Sequence, residues 1–128
     1  MYEILIVGGG PAGLTAAIYA ARAGKHVAVL ERGSTGGQII SAPLVENYPG
    51  IPSVSGTELA RQMTEQACTF GAEIVYTEAV GLEKTPAGFR VLCTDGVREA
   101  KTVILATGAA HRSLGLAAED ALTGCGVS

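Results

Sequence analysis

Charge is scarce in this chain. Only 16% of its 128 residues are Asp, Glu, Lys or Arg, against 48% apolar ones, and the formal net charge is -3. A weakly acidic balance of that size offers no electrostatic footprint for nucleic acid or for an anionic membrane surface, so neither is expected as a partner. Cysteine is sparse too. Cys68, Cys93 and Cys125 are odd in number and widely spaced, which argues against both a disulfide framework and a metal site. No apolar run approaches the roughly 20 residues that cross a bilayer. The apolar segment at the start has neither a basic flank nor a cleavage site, and a cytoplasmic protein is expected. The length is that of one ordinary domain, sufficient for a proper core but short for an enzyme that holds both a dinucleotide and a second substrate.

Glycine, by contrast, is abundant, with 18 residues, and its placement carries the information. Residues 4–7 (ILIV) read as a strand buried on both faces of a parallel sheet. Gly8, Gly10 and Gly13 follow in G-x-G-x-x-G spacing. The three absent side chains serve a tight turn, room for a pyrophosphate, and close packing of helix on strand. Alanine-rich residues 12–23 continue as a helix, with Pro11 suited to its first turn and Gly24 ending it. The N-H groups and positive dipole end of that helix face the pyrophosphate. Residues 27–30 form the second strand. Glu31 stands at its carboxyl end, where a carboxylate accepts hydrogen bonds from an adenosine ribose and repels a 2′-phosphate.

Beyond Glu31 the periodicity dissolves. Residues 32–55 contain Pro43, Pro49 and Pro52 and show neither a helical nor a strand period. A connection longer than about 12 to 15 residues inside a compact domain is usually functional or disordered. The apolar content here (Ile39, Ile40, Leu44, Val45, Tyr48, Ile51) favours a packed wall of the ligand site, with Gly36 and Gly37 admitting close backbone approach. A helix returns after Gly56, capped by Ser55 or Thr57, with Leu59, Met63, Ala67 and Phe70 on one face and Gly71 at its end. Residues 73–76 supply a third strand. Residues 79–85, 89–94 and 97–101 then read as an antiparallel meander, its second turn being Asp95-Gly96. Residues 102–106 (TVILA) restore a buried strand, and Thr107-Gly108 closes it in a glycine turn beside the first one. Cys93 is expected buried and Cys68 half-buried, while His26 and His111 are expected in solvent.

These segments together resemble the low-molecular-weight thioredoxin reductases and their relatives among the pyridine nucleotide-disulfide oxidoreductases. The resemblance rests on IVGGGPAGLTAAIYAARAG, GGQI, VENYPGIP, the meander, VILATGA with Arg112 after it, and GVS at the end. It implies an α/β fold: a Rossmann-like parallel sheet with flanking helices and an inserted three-stranded antiparallel meander, residues 1–128 forming the N-terminal part of an FAD-binding domain. Carried over by position, Gly8, Gly10, Pro11, Ala12 and Gly13 would hold the FAD pyrophosphate and Glu31 the adenosine ribose, with Arg32 also among the cofactor-binding residues. Gly36, Gly37 and Gln38 would line the path to the flavin, with Asn47 near the rings. Val80 would lie by the adenine, and Ala106, Thr107 and Gly108 beside the nucleotide.

In the intact protein the resemblance implies NADPH as hydride source, a thioredoxin-like small protein as acceptor, and a homodimer. The family's C-x-x-C follows a Gly-Val-Ser, whereas this sequence stops at Ser128. The dithiol, the NADPH domain and the late FAD segment are thus expected to be missing, and the 128 residues alone to be inactive as a reductase. The edge of the strand at 102–106 is expected to stand bare, inviting a dimer or poor order after about residue 110. Two alternatives stay open: the FAD half of a ferredoxin- or flavodoxin-NADP reductase lacking the dithiol, and a nucleotide-binding module without turnover.

Overall fold

The computed structural model describes residues 1–110 together with Arg112, Gly115 and Ala121. Its elements are β1 (Tyr2–Val7), α1 (Pro11–Arg22), β2 (Val27–Glu31), a short 3-10 helix (Gly37–Ser41), α2 (Gly56–Thr69), β3 (Glu73–Tyr76), β4 (Ala79–Thr85), β5 (Gly88–Cys93) and β6 (Gly96–Leu105). All strands belong to one six-stranded sheet in the order β3-β2-β1-β6-β5-β4. β1 lies parallel to β2 on one side, Ile4 opposite Val27, and parallel to β6 on the other, Ile4 opposite Thr102. The first strand of the chain is therefore the centre of the parallel layer, as its fully apolar sequence requires.

Strand alternation sorts the core onto two faces. On one, Ile6, Val27 and Val29 pack against Ala17, Ile18 and Ala21 of α1 and Ala67 of α2. On the other, Leu5, Ala28 and Leu30 meet Val91, Cys93 and Ala100, so the meander folds back over the face the helices leave open. A third cluster joins Leu14, Leu59 and Met63 to Val45 of the long connection, with Ile39, Ile51 and Val54 alongside.

Several expectations are corrected. Where the pattern predicts strands at 97–101 and 102–106, the structure has one continuous strand. Neither glycine nor proline interrupts it, and its two edges serve different neighbours: residues 96–100 pair antiparallel with β5 and residues 100–105 parallel with β1. Ala100 is shared by both ladders. Beyond Ala100 the side of β6 away from β1 has no strand beside it among the described residues, and the expectation about order after residue 110 falls outside them. The connection at 32–55 is not structureless, since it holds the 3-10 helix and two antiparallel bridges, Val45 with Val54 and Tyr48 with Ile51. Only part of its apolar content is buried: Val45 is 8% exposed, but Leu44 is 54% exposed and Ile40 and Tyr48 are exposed as well.

Ser55 is the cap of α2, its Oγ accepting from the Glu58 amide at 3.2 Å, while Thr57 donates instead to the Ile40 carbonyl. Phe70 ends α2 outside the core, under the Arg22 guanidinium at 5.7 Å. Cys93 is buried as expected, whereas Cys68, one step past the core position Ala67, is exposed. His26 is exposed but partnered, its ring 4.6 Å from that of Tyr2 and its Nε2 3.2 Å from Glu73 Oε1. His111 and Cys125 lie outside the described residues. No helix among the described residues is long and apolar enough to cross a membrane.

Candidate functional site

The parallel strands bring their carboxyl ends together, and the glycine motif is built into that end. Gly8 donates its amide to the Leu30 carbonyl at 2.8 Å. Its φ of +107° and the position its missing Cβ would take, 2.3 Å from the Ala106 carbonyl oxygen, leave no alternative residue. The motif thereby touches the end of β6 as well as that of β2. Gly13 has a different task. A Cβ there would stand 1.9 Å from the Gly8 carbonyl oxygen, so its absence sets how closely α1 approaches the strand.

Gly10 faces open space. Its Cβ would meet only the Gly37 Cα, at 3.9 Å, and its backbone angles are ordinary ones. It is the cap of α1, yet offers the helix no side-chain acceptor, and no acidic residue stands in the first turn. Pro11 contributes no donor, and the helical ladder opens with the Leu14 amide on the Gly10 carbonyl. The amides of Ala12 and Gly13 are thus the orphan donors of a helix start, at the positive end of the helix dipole. A cradle of this kind, smooth on its surface and rich in N-H, suits a phosphate or pyrophosphate group.

Glu31 closes one side of the glycine turn. Its Oε2 accepts from the Gly9 amide and its Oε1 from the Gly33 amide, both at 2.8 Å. The carboxylate ties the glycine turn to the end of β2 and keeps lone pairs on both oxygens for a pair of hydroxyls. Arg32 reaches out at the rim, its Nη1 3.8 Å from Glu78 Oε1.

The cleft so formed has a volume of about 750 Å³, within the range of small-molecule sites. Gly8, Gly10, Pro11 and Ala12 form its floor, Glu31 and Arg32 one flank, Gly37 and Gln38 another, and Ala106, Thr107 and Gly108 the far side. Gln38 also donates from Nε2 to the Ala109 carbonyl, joining two of these walls. Four sequence candidates do not line the cleft. Gly13 is buried behind it, and Gly36 packs its backbone against Ala60 and Ile40. Asn47 and Val80 are exposed elsewhere on the surface, Val80 by 63%.

Ile39 lines the cleft, as the reading of the 32–55 connection as a wall expects, whereas sequence reasoning missed a wall made of Thr77, Glu78 and Ala79, with Ala109 beside it. The signal was present. The carboxyl-end rule, applied to β3 as well as to β1, β2 and β6, leads straight to Thr77. A second hollow, about 640 Å³, lies on the meander. Its charged side chains are already paired, Arg90 with Glu83 and Glu99, and Arg98 with Asp95. Among the described residues no group of three or more His, Cys, Asp or Glu is placed to hold a metal.

The family model for pyridine nucleotide-disulphide oxidoreductases matches residues 2–128. A thioredoxin reductase of Listeria monocytogenes is 41% identical over 128 residues, which are all of this chain and 40% of that protein. One from Treponema pallidum is 44% identical, covering 99% of this chain and 42% of its own. The crystal structure of Lactococcus lactis thioredoxin reductase superposes with a TM-score of 0.90 at 37% identity, over 97% of this chain and 41% of that one. The chain thus spans about 40% of the length of the curated relatives it matches. With the whole chain covered by the family's pattern and its fold reproduced in a solved member, the protein belongs to the pyridine nucleotide-disulphide oxidoreductase family.

Proposed function

We propose that the cleft binds FAD, and that this chain is the FAD-binding portion of a flavin-dependent, NADPH-using disulfide reductase of the thioredoxin reductase type. The observation that carries the reading is the glycine cradle: an uncapped helix start opens onto space that a Cβ at Gly10 would fill, with Glu31 beside it. The residues fit the group. Gly10, Pro11 and Ala12 would hold the pyrophosphate against the helix dipole, and Glu31 would accept from the adenosine ribose hydroxyls while its charge repels a 2′-phosphate. Arg32 would cover the adenosine end, and Gly37, Gln38, Thr107 and Gly108 would shape the path toward the flavin.

When bound, the flavin supplies the two-electron redox chemistry, and the protein supplies binding, orientation and electrostatics. No thiol among the described residues lines the cleft, and the 128 residues by themselves are proposed to bind without turning over a disulfide. In the intact enzyme the acceptor would be a thioredoxin-like small protein, and the active form a homodimer. The named relatives support this reading over a ferredoxin- or flavodoxin-NADP reductase.

Titration with FAD, ADP and NADP, followed by flavin fluorescence and calorimetric heat, tests the proposal. Saturable binding of FAD and ADP with NADP ignored is expected. A folded chain that binds no adenine nucleotide would overturn it.

A further inference from the structure

We infer that Thr77, Asp95 and Arg98 form a buttress that positions the Thr77–Ala79 wall of the cleft, making Asp95 and Arg98 positioning residues for the adenosine end of a nucleotide they do not touch. The inference rests on the reading of the cleft proposed above. Thr77 is the buried polar residue among those described, with 7% of its surface exposed. A hydroxyl taken out of water requires a partner, and this one donates to Asp95 Oδ1 in the turn between β5 and β6. Arg98 grips both oxygens of that carboxylate, Nη1 to Oδ1 at 2.8 Å and Nη2 to Oδ2 at 2.7 Å. Its side chain is only 20% exposed. The Asp95 side chain is 50% exposed, and what distinguishes the pair is its planar two-pronged geometry, which fixes direction better than a single-contact ion pair.

Backbone contacts carry the same link to the cleft. Thr94 donates its amide to the Glu78 carbonyl at 3.0 Å, and Thr77 donates its own to the Glu31 carbonyl at 2.9 Å. The segment 77–78 is therefore held from behind by the meander turn and in front by the end of β2, with its remaining side on the cleft. Glu78, its main chain fixed, meets Arg32 across the rim. The β5–β6 turn, which as sequence is only a hairpin signal, reaches the nucleotide site through the Thr77 hydroxyl and the Thr94 amide.

The test is ADP affinity by calorimetry in Thr77→Val, Thr77→Ser, Asp95→Ala and the Val/Ala double variant, with inorganic pyrophosphate as a competing ligand for the glycine cradle alone. Loss of a charge-assisted hydrogen bond is expected to weaken ADP about tenfold in T77V and in D95A. T77S is expected to restore the affinity, and the double variant to be no weaker than either single one, because both remove the same bond. The pyrophosphate competition constant is expected to stay at its wild-type value. Arg98→Lys, which keeps the charge and loses the fork, serves if D95A fails to fold, and is expected to weaken ADP about threefold. ADP binding unchanged in T77V, multiplying effects in the double variant, or a parallel loss of pyrophosphate binding would each overturn the buttress while leaving the cofactor reading intact. A wild-type chain that binds no ADP would remove both.

Discussion

Replacing Gly10 and Gly13 one at a time by alanine separates the two tasks of a single motif. At Gly13 the new Cβ would lie 1.9 Å from the Gly8 carbonyl oxygen, more than 1 Å inside the closest normal approach of carbon and oxygen. The atom it meets is backbone, pinned by the Gly8 turn, so α1 must shift bodily off a core in which Leu14 and Ala17 are wholly buried. Overpacking of this severity costs about 3 kcal/mol or more. For a domain of this size that is a fall in Tm of about 10 °C. At Gly10 the Cβ has no neighbour nearer than 3.9 Å and the backbone angles suit any residue. A loss of about 0.5 to 1 kcal/mol in cap preference is offset by a similar gain from a less flexible unfolded chain. Stability should stay within about 1 kcal/mol of wild type, while ADP and FAD affinity falls at least tenfold because the methyl occupies the phosphate's place. Thermal melts and ADP titrations of both variants are the assay. A Gly10→Ala chain that binds ADP like wild type would refute the claim that a phosphate rests on this residue, and a Gly13→Ala chain of unchanged Tm would refute the close-approach argument.

Other outcomes follow from neighbouring contacts. Glu31→Gln keeps one carbonyl oxygen for two backbone donors, Gly9 and Gly33, so it should lose about 1 to 2 kcal/mol of stability in urea titrations, along with ADP affinity. Gly56→Ala would place its Cβ 1.7 Å from the Ile39 carbonyl oxygen and should cost about 3 kcal/mol or more, like Gly13→Ala, read as a lowered urea midpoint. Hydrogen bonds from Arg98 and then Thr77 hold the Asp95 carboxyl down to about 2. A depressed carboxylate adds stability above its unfolded value and loses it as pH falls through the folded one. Urea midpoints measured between pH 5 and pH 2 should therefore drop more steeply below about pH 4 in wild type than in Asp95→Asn.

Much of the site was legible because its chemistry is local in sequence. The strand, the three glycines, Pro11 and Ala12 fall within ten residues, and Glu31 needs only one helix and one strand to return beside them. The tight turn at Gly8 and the close helix approach at Gly13 could be inferred from spacing, since the turn that links a parallel strand to its helix has few solutions. Asn47 and Val80 were placed by resemblance alone, and neither reaches the cleft. Resemblance points to Gly36 as part of a ligand path, whereas its missing side chain makes room for Ala60 and Ile40. The Ser55–Glu58 cap sits at the S-x-x-E spacing that a search anchored on Thr57 passes over. Glu58 spends its carboxylate on Arg61 and Gln62 and not on the cap.

Sequence by itself determined the parallel layer and the glycine cradle, because apolar runs, glycine spacing and helix starts act over distances shorter than one βαβ unit. Tertiary structure decided what depends on edges and on long returns of the chain. Only in three dimensions does β6 serve as both the last meander strand and the neighbour of β1, since pairing on two edges leaves no mark in side-chain periodicity. Only there does the β5–β6 turn come behind Thr77, 18 residues earlier in the chain. A hydroxyl finds its carboxylate by the curl of the whole sheet, and no local pattern encodes that curl.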